Sequence, residues 1–232
     1  MEKLVELYRK WAGSAPANVE KLAGAGSNRA YYRLTDSEGK TVIGVIGTSR
    51  DENHAFIYLA KHFAKRQLPV PHVLAVSVDE MCYLQTDLGV ISLFDAIRGG
   101  RETGGRYNLA EQELLRKTIK ELPNFQLRGA RGLDYSYCYP QAEFNEESVL
   151  FDLNYFKYCF LKATEIDFHE LKLQANFRMF AKDLTSEKIE AFQYRDFQAR
   201  NVMLDSKGNP HFIDFQGGRK GPYYYDLSLI HI

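Results

Sequence analysis

The chain has 232 residues, 45% hydrophobic and 26% charged, enough for one large domain or two lobes around a cleft. Its 30 lysines and arginines equal its 30 aspartates and glutamates, so no global basic field points to nucleic acid and no polybasic tail to a membrane surface. Runs such as "TVIGVIG" are far too short to span a bilayer, and no apolar core or cleavage site of a signal peptide follows "MEKLVELYRKW", so a cytoplasmic location is expected.

Leu4, Leu7, Tyr8 and Trp11 recur at helical spacing, and Gly13 and Pro16 end that helix. Three strands are predicted in "VEKLAGAGSNRAYYRLTDSEGKTVIGVIGT", separated by the small-residue turn "AGAGSN" and a "DSEGK" hairpin. From Glu52 to Arg66 the period turns helical, with Phe56, Leu59, Ala60 and Phe63 on one face. "HVLAVSV" and "MCYLQTDL" read as another hairpin, and Ser92 to Ile97 as a short helix. "RGGRETGGRYN" is read as a Gly-rich surface loop, and Asn108 with Glu111 as a reciprocal helix cap. Two further helices are marked by Val149, Leu153, Phe156 and Phe160, and by Ile166, Leu173, Phe177 and Phe180. Two short strands, "NVMLD" and "HFIDF", close the pattern around "SKGN". The aromatics of "LDYSYCYPQAEF" and "DLNYFKY" read mostly as helical core. Cys82, Cys138 and Cys159 are widely spaced and odd in number, as expected of buried reduced thiols. No two of the six histidines lie at metal-binding spacing.

The "NVML"/"HFID" hairpin brings Asn201, before one strand, and Asp214, at the end of the other, to the same end of a sheet. Asp196 lies in the loop just before. Two carboxylates and an amide oxygen converging on one point make a hard-oxygen site suited to Mg²⁺, or one aspartate stays off the metal and accepts a proton from a substrate hydroxyl. Singly, each of these residues reads as a turn or strand-end residue; together, in this order and spacing, they point to chemistry.

"YRDFQARN" with "FIDFQGG" and "GPYYYDL" resembles the catalytic and metal loops of the aminoglycoside phosphotransferase and choline kinase-like superfamily. Within it the resemblance is strongest to bacterial kinases that phosphorylate cell-wall amino sugars, N-acetylmuramate and N-acetylglucosamine, at the anomeric hydroxyl. It covers almost the whole chain, including "GSNRAYYRL" and "QTDLG".

The resemblance implies a two-lobed α+β protein-kinase-like fold: a small antiparallel-sheet lobe over residues 1–88 and a mostly helical lobe over 89–226. It implies ATP and Mg²⁺ as cofactors and a small-molecule hydroxyl as acceptor. Asp196 would orient or deprotonate that hydroxyl, and Asn201 and Asp214 would hold Mg²⁺ on the phosphates. In "GAGSNRAYY", Gly24 and Gly26 would let the backbone approach a phosphate while Ser27 and Asn28 add donors; a plain Gly-rich hairpin is the other reading. Arg29 faces the phosphates or is a solvated strand residue. Gln85, Thr86 and Asp87 match the hinge that pairs with adenine, and Asp87 equally suits a cap for the helix at Ser92. Asp152, Gln198, Arg200 and Arg219 are candidates to hold a sugar ring, and Asp226 to brace the catalytic loop.

Two departures stand out. The third strand lacks the lysine that usually grips the phosphates, so Glu52 has no evident partner, and either another cation, Arg29 or Arg50, serves the phosphates or ATP binding is weak. Tyr194 replaces the histidine that opens the catalytic loop. The ending "LSLIHI" is what a common sequencing adapter encodes when read as coding DNA; residues 227–232 are expected to be a non-native tail where further helices, or a fused domain, would follow. The sequence thus points to an ATP-dependent kinase of a sugar or amino sugar. An aminoglycoside or amino-alcohol kinase, and a nucleotide-binding pseudokinase regulating a fused or partner domain, are its rivals.

Overall fold

Alternating apolar residues in the first 86 positions fold into an antiparallel five-stranded sheet. The computed structural model describes residues 1–23, 28–186 and 191–228. The strands are β1 (Asn18–Lys21), β2 (Ala30–Thr35), β3 (Thr41–Ile46), β4 (Val73–Val76) and β5 (Cys82–Thr86), in spatial order β1-β2-β3-β5-β4. Helix α1 (Glu2–Ala12) lays Leu4 and Tyr8 on one face of the sheet, against Leu34, Val42, Cys82 and Leu84. Helix α2 (Arg50–Lys65), between β3 and β4, covers the other face with Phe56, Leu59, Ala60 and Phe63. Its first turn is capped by Ser49 Oγ, which accepts from Glu52 N.

Beyond the sheet the chain is mostly helical: α3 (Leu93–Ala96), α4 (Arg98–Glu102), α5 (Leu109–Pro123), α6 (Glu146–Phe156) and α7 (Glu170–Leu184). Asn108 and Glu111 form the reciprocal cap of α5. Two small antiparallel ladders follow: β6 (Ala191–Gln193) pairs with β9 (Arg219–Gly221), and β7 (Val202–Leu204) with β8 (Pro210–Phe212). One aromatic cluster joins the sheet to these ladders. Phe63 of α2 meets Phe125, Phe192 and Phe215 at ring-centroid distances of 5.4, 5.0 and 5.4 Å, and Phe125 packs edge-on to Tyr194. The loops between β6 and β9 are therefore fixed to the same core that holds α2.

Several expectations are corrected. Arg98–Glu102, read as loop, is helical, because the Gly100 N–H donates to the buried Glu111 carboxylate, as does Asn108 N. The β6–β9 pairing escaped the sequence reading. Trp11, at the end of its stripe, is exposed, and so is Cys159, while Cys82 and Cys138 are buried. Ile166 lies ahead of α7 rather than in it. The helical aromatics are mostly not core: Phe151, Tyr155, Phe156, Tyr158, Phe160 and Phe180 are all exposed on α6, α7 and the turn between them. Of the expected 227–232 tail, Leu227 and Ser228 close the 3₁₀ helix Tyr223–Ser228, and 229–232 lie outside the described residues. Among the described residues no helix is long and apolar enough to cross a membrane.

Gly218 makes the turn into β9 possible. A Cβ there would lie 2.2 Å from Phe192 Cζ and 3.0 Å from Gln193 O, and the buried ring has no room to retreat. Gly218→Ala is expected to cost about 1–3 kcal/mol, lowering Tm by roughly 2–4 °C per kcal/mol in a chain of this size. Gly217→Ala, whose Cβ would meet nothing nearer than Asp196 Oδ2 at 3.6 Å, is expected to leave Tm unchanged in the same thermal melt.

Candidate active site

The loop from Tyr194 to Asn201 is held from below by a buried carboxylate. Asp226 has no solvent exposure. Its Oδ2 accepts from Tyr194 N at 2.9 Å and from Gln126 Nε2 at 2.9 Å, and its Oδ1 from Arg195 N at 2.8 Å. Gln126 comes from a π-helical turn, Asn124–Gly129, and also ties Tyr223 O at 2.7 Å. The Tyr194 hydroxyl donates to Ile213 O at 2.6 Å, so this tyrosine links its loop to the next. Two non-glycine residues at positive φ flank the site, Arg195 at 73° and Asp214 at 64°; such backbone persists only where its surroundings hold it.

The three residues predicted to converge do so. Asn201 Nδ2 donates to Asp196 O at 3.0 Å and to Asp214 Oδ2 at 3.3 Å. With the amide nitrogen anchored on the Asp196 carbonyl, Asn201 Oδ1 is left as a ligand atom. Gln216 Nε2 donates to Asp214 Oδ1 at 2.6 Å, while its buried Oε1 has no hydrogen-bond partner among the described residues. Asp214, Asn201 and that orphaned amide oxygen are hard donors. Among the described residues no three of His, Cys, Asp and Glu cluster as a metal site. One carboxylate plus amide oxygens, completed by water and phosphate, fits Mg²⁺, which keeps much of its shell. Burial, and then the neighbouring Asp214 carboxylate, push Asp196 up to about 6, with Arg195 pulling the other way.

Two cavities meet at this point. One, about 720 Å³, is lined by Tyr139, Phe151, Asp152, Arg195, Asp196 and Arg219 among others. The second, about 450 Å³, is largely apolar and lies under the sheet, lined by Leu22, Tyr31, Phe56, Tyr83, Gln85 and Met203 among others. Asp214 and Gln216 line both.

Gln85 and Asp87 reach the apolar cavity. Gln85 is buried with its Oε1 unpaired among the described residues. Asp87 grips Arg33 Nε at 2.6 Å and Gly89 N at 2.9 Å; it does not cap the helix at Ser92, which caps itself through its own Oγ. The Thr86 amide is already spent on His72 O at 3.0 Å. Asn28 lines the larger cavity. Arg29 is no solvated strand residue: its buried guanidinium donates to Glu52 Oε1 and to Glu52 O, each at 3.1 Å. Glu52 thus has a partner after all, from β2's approach rather than from β3. Arg50 pairs with Glu80 instead, at 3.3 Å. Gly24, Gly26 and Ser27 lie outside the described residues.

Of the residues considered for the sugar, Asp152 and Arg219 line the larger cavity. Arg200 does not; it turns to the apolar cavity and stacks on Phe94 at 4.2 Å. Gln198 lines neither, its backbone closing the turn between Asp196 O and Asn201 N. The sequence reading gave Arg195 no role, yet it pairs with Asp152 at 3.3 Å and its guanidinium faces the adjoining rings of Phe144 and Tyr225. Gln126 was missed too, since nothing local to it signals a partner 100 residues away.

The chain is 28% identical over 204 residues to an N-acetylmuramate/N-acetylglucosamine kinase of Neisseria meningitidis, covering 86% of this chain and 56% of that protein. It is 25% identical over 224 residues to a protein of the same name from Pseudomonas aeruginosa, covering 95% and 61%. The chain therefore spans less than two thirds of either curated relative. Among solved structures, an amicoumacin kinase in complex with AMP-PNP, Ca²⁺ and Ami matches with a TM-score of 0.65 at 15% identity, over 97% of this chain and 67% of that one. Choline kinase from Streptococcus pneumoniae matches with a TM-score of 0.65 at 13% identity, over 98% and 73%. These two likenesses establish a kinase-like α+β fold. Residues 18–231 match the phosphotransferase enzyme family known as APH, and the chain belongs to that family.

Proposed function

We propose that this protein transfers the γ-phosphate of ATP, with Mg²⁺, to a hydroxyl of a sugar or amino sugar. The observation that carries the reading is the meeting of Asp196, Asn201 and Asp214 where the two cavities join. In this reading residues 1–88 form a nucleotide-binding lobe, 89–226 an acceptor-side lobe, and the reaction takes place in the cytoplasm, where ATP is made. The apolar cavity takes the adenine, with Gln85 Oε1 available to an exocyclic amine and the backbone beyond Thr86 serving as the hinge. Asn201 Oδ1 and Asp214 would hold the metal, which would supply positive charge to offset that of the phosphates. Asp196, off the metal, orients the acceptor hydroxyl and accepts its proton; the rest is positioning. Arg29 is assigned as the cation that β3 lacks, because its partner Glu52 lines the larger cavity together with Asp214.

The names of the two curated relatives support an amino sugar as acceptor. An aminoglycoside is the rival acceptor: the larger cavity carries Glu52, Glu147, Asp152, Asp196 and Asp214 beside Arg195 and Arg219, and the acceptor panel decides between the two. The presence of Asp196 in this loop argues against a pseudokinase.

The test is ATP consumption against N-acetylated sugars, aminoglycosides and choline. Turnover is expected with the sugars, and Asp196→Asn is expected to lower kcat by about 10²–10⁴-fold with nucleotide binding retained. Binding of ATP with no turnover on any acceptor would favour the pseudokinase. The same variant has a stability signature. Asp196 holds its proton more tightly folded than unfolded, so the stability linked to it is present below pH 4 and lost as pH rises through about 6. Asp196→Asn is therefore expected to be more stable than wild type above pH 6, by on the order of 1–3 kcal/mol without Mg²⁺, and to converge with it near pH 4 in urea titrations. Arg29→Met is expected to weaken ATP binding about 10–100-fold by calorimetry, with Arg29→Lys recovering part of the loss; unchanged affinity in Arg29→Met would remove Arg29 from the phosphate site.

A further inference from the structure

Gln85 is the penultimate residue of β5, which lies between β3 and β4, with Ile43 and Val73 as its ladder partners. It is 8% exposed and lines the apolar cavity, yet its Oε1 is closed off from solvent and has no hydrogen-bond partner among the described residues. Other polar side chains that line this cavity are engaged. Arg33 holds Asp87 at 2.6 Å, Thr86 Oγ1 accepts from His72 N at 3.0 Å, and Arg200 stacks on Phe94 at 4.2 Å. Two backbone amides of the adjoining segment are engaged as well: Thr86 N donates to His72 O at 3.0 Å, and Gly89 N to Asp87 Oδ1 at 2.9 Å. Recognition of a base therefore falls more heavily on the one side chain that is left. A buried carboxamide without a partner is costly, and the molecule that would relieve this one comes from the cavity it lines.

The terminal torsion of glutamine is broad and two-fold, and turning it by half a revolution exchanges the oxygen for the NH₂ at nearly the same place. No acceptor or donor among the described residues fixes either setting of Oε1. With its oxygen toward the cavity, Gln85 accepts from the 6-amino group of a purine. With its nitrogen toward the cavity, it donates to a 6-oxo group. We propose that Gln85 reads the 6-position of the purine and that, because its carboxamide answers either substituent, the site takes 6-oxo purine nucleoside triphosphates, those of guanosine and inosine, as well as ATP. The inference rests on the phosphotransferase reading, in which the apolar cavity takes the base, and it widens the class of phosphate donor. A site whose donors and acceptors are fixed rejects the wrong partner by about 10⁴-fold or more, because its buried groups are then left unpaired. A side chain that changes from acceptor to donor forfeits that rejection. The metal end of the cavity does not restore it, since the triphosphate is the same in both classes.

Inosine triphosphate isolates this property, because it carries a 6-oxo group and an N1–H where ATP has a 6-amino group and a bare N1, and no 2-amino group. Purine riboside triphosphate, with hydrogen at position 6, gives the baseline, and inorganic triphosphate reports binding without a base. Each is titrated with Mg²⁺ into the wild-type protein by calorimetry. ATP and inosine triphosphate are each expected to bind about 3–10-fold more tightly than purine riboside triphosphate. Gln85→Met keeps the length of the side chain and removes both hydrogen-bonding groups. It is expected to bring ATP and inosine triphosphate down to the purine riboside level while leaving purine riboside triphosphate within about twofold of its wild-type affinity. Inosine triphosphate binding no more tightly than purine riboside triphosphate in wild type overturns the proposal even if the variant does not fold. Advantages of ATP and inosine triphosphate that survive Gln85→Met would place the reading of the base elsewhere and overturn it as well. Inorganic triphosphate binding as tightly as ATP would show that no base is read. No binding of any triphosphate would overturn the phosphotransferase reading itself, an outcome distinct from all of those.

Discussion

A carboxylate removed from water must fill its lone pairs from the protein, and Asp226 does so with three donors drawn from two parts of the chain. Two are consecutive backbone amides of the catalytic loop, and the third is Gln126. Consecutive amides pointing at one carboxylate leave the backbone little choice, and Arg195 accordingly adopts a φ of 73°. The direction of Asp196 follows from that turn, and the Asp196 carbonyl in turn anchors the Asn201 amide. The geometry proposed for catalysis thus rests on a residue that lines neither cavity. Burial itself pushes the Asp226 carboxyl up, against the pull of its donors, so the arrangement stands only while all three hydrogen bonds are made.

The site also concentrates negative charge. Asp196, Asp214 and Asp226 lie close enough to influence one another, and the phosphates of a nucleotide would add more. The cations are correspondingly specific in their placement. Arg29 is locked to Glu52 on the sheet side, and Arg195 to Asp152 beside the larger cavity. A divalent ion between Asn201 and Asp214 would bring the charge nearer to balance while relieving Asp196 of the neighbour that disfavours its ionised form. The metal's contribution would then be twofold: organising the phosphates and making the base a stronger competitor for charge at neutral pH.

What could be read from residue order was whatever is decided locally. The β7–β8 hairpin is encoded by two apolar runs around a tight turn, so the convergence of Asn201 and Asp214 follows from spacing alone. The cap of α5 and the faces of α2 were equally plain. The β6–β9 ladder was not, because three-residue strands carry too little alternation to stand out. Long-range electrostatic partners were invisible for a related reason: nothing near Arg29, Arg33 or Gln126 indicates which distant carboxylate each will find. Arg200 beside Asp196 looked like a substrate residue, yet the 3₁₀ turn Ala199–Asn201 rotates it onto Phe94 and the opposite cavity. Adjacency in a tight turn says little about which side a chain faces.

The dependence of the catalytic loop on Asp226 has a consequence for the order of events in biosynthesis. Tyr194 and Arg195 are made 32 and 31 residues before their shared acceptor, and Gln126 is made 100 residues before it. The five-stranded sheet and α2, by contrast, are complete in sequence by residue 86. A growing chain therefore carries a sheet able to assemble early and a loop that waits, its amides unpaired, until residue 226 clears the ribosome. The sheet of residues 1–86 can thus assemble well before the loop that Asp226 orders.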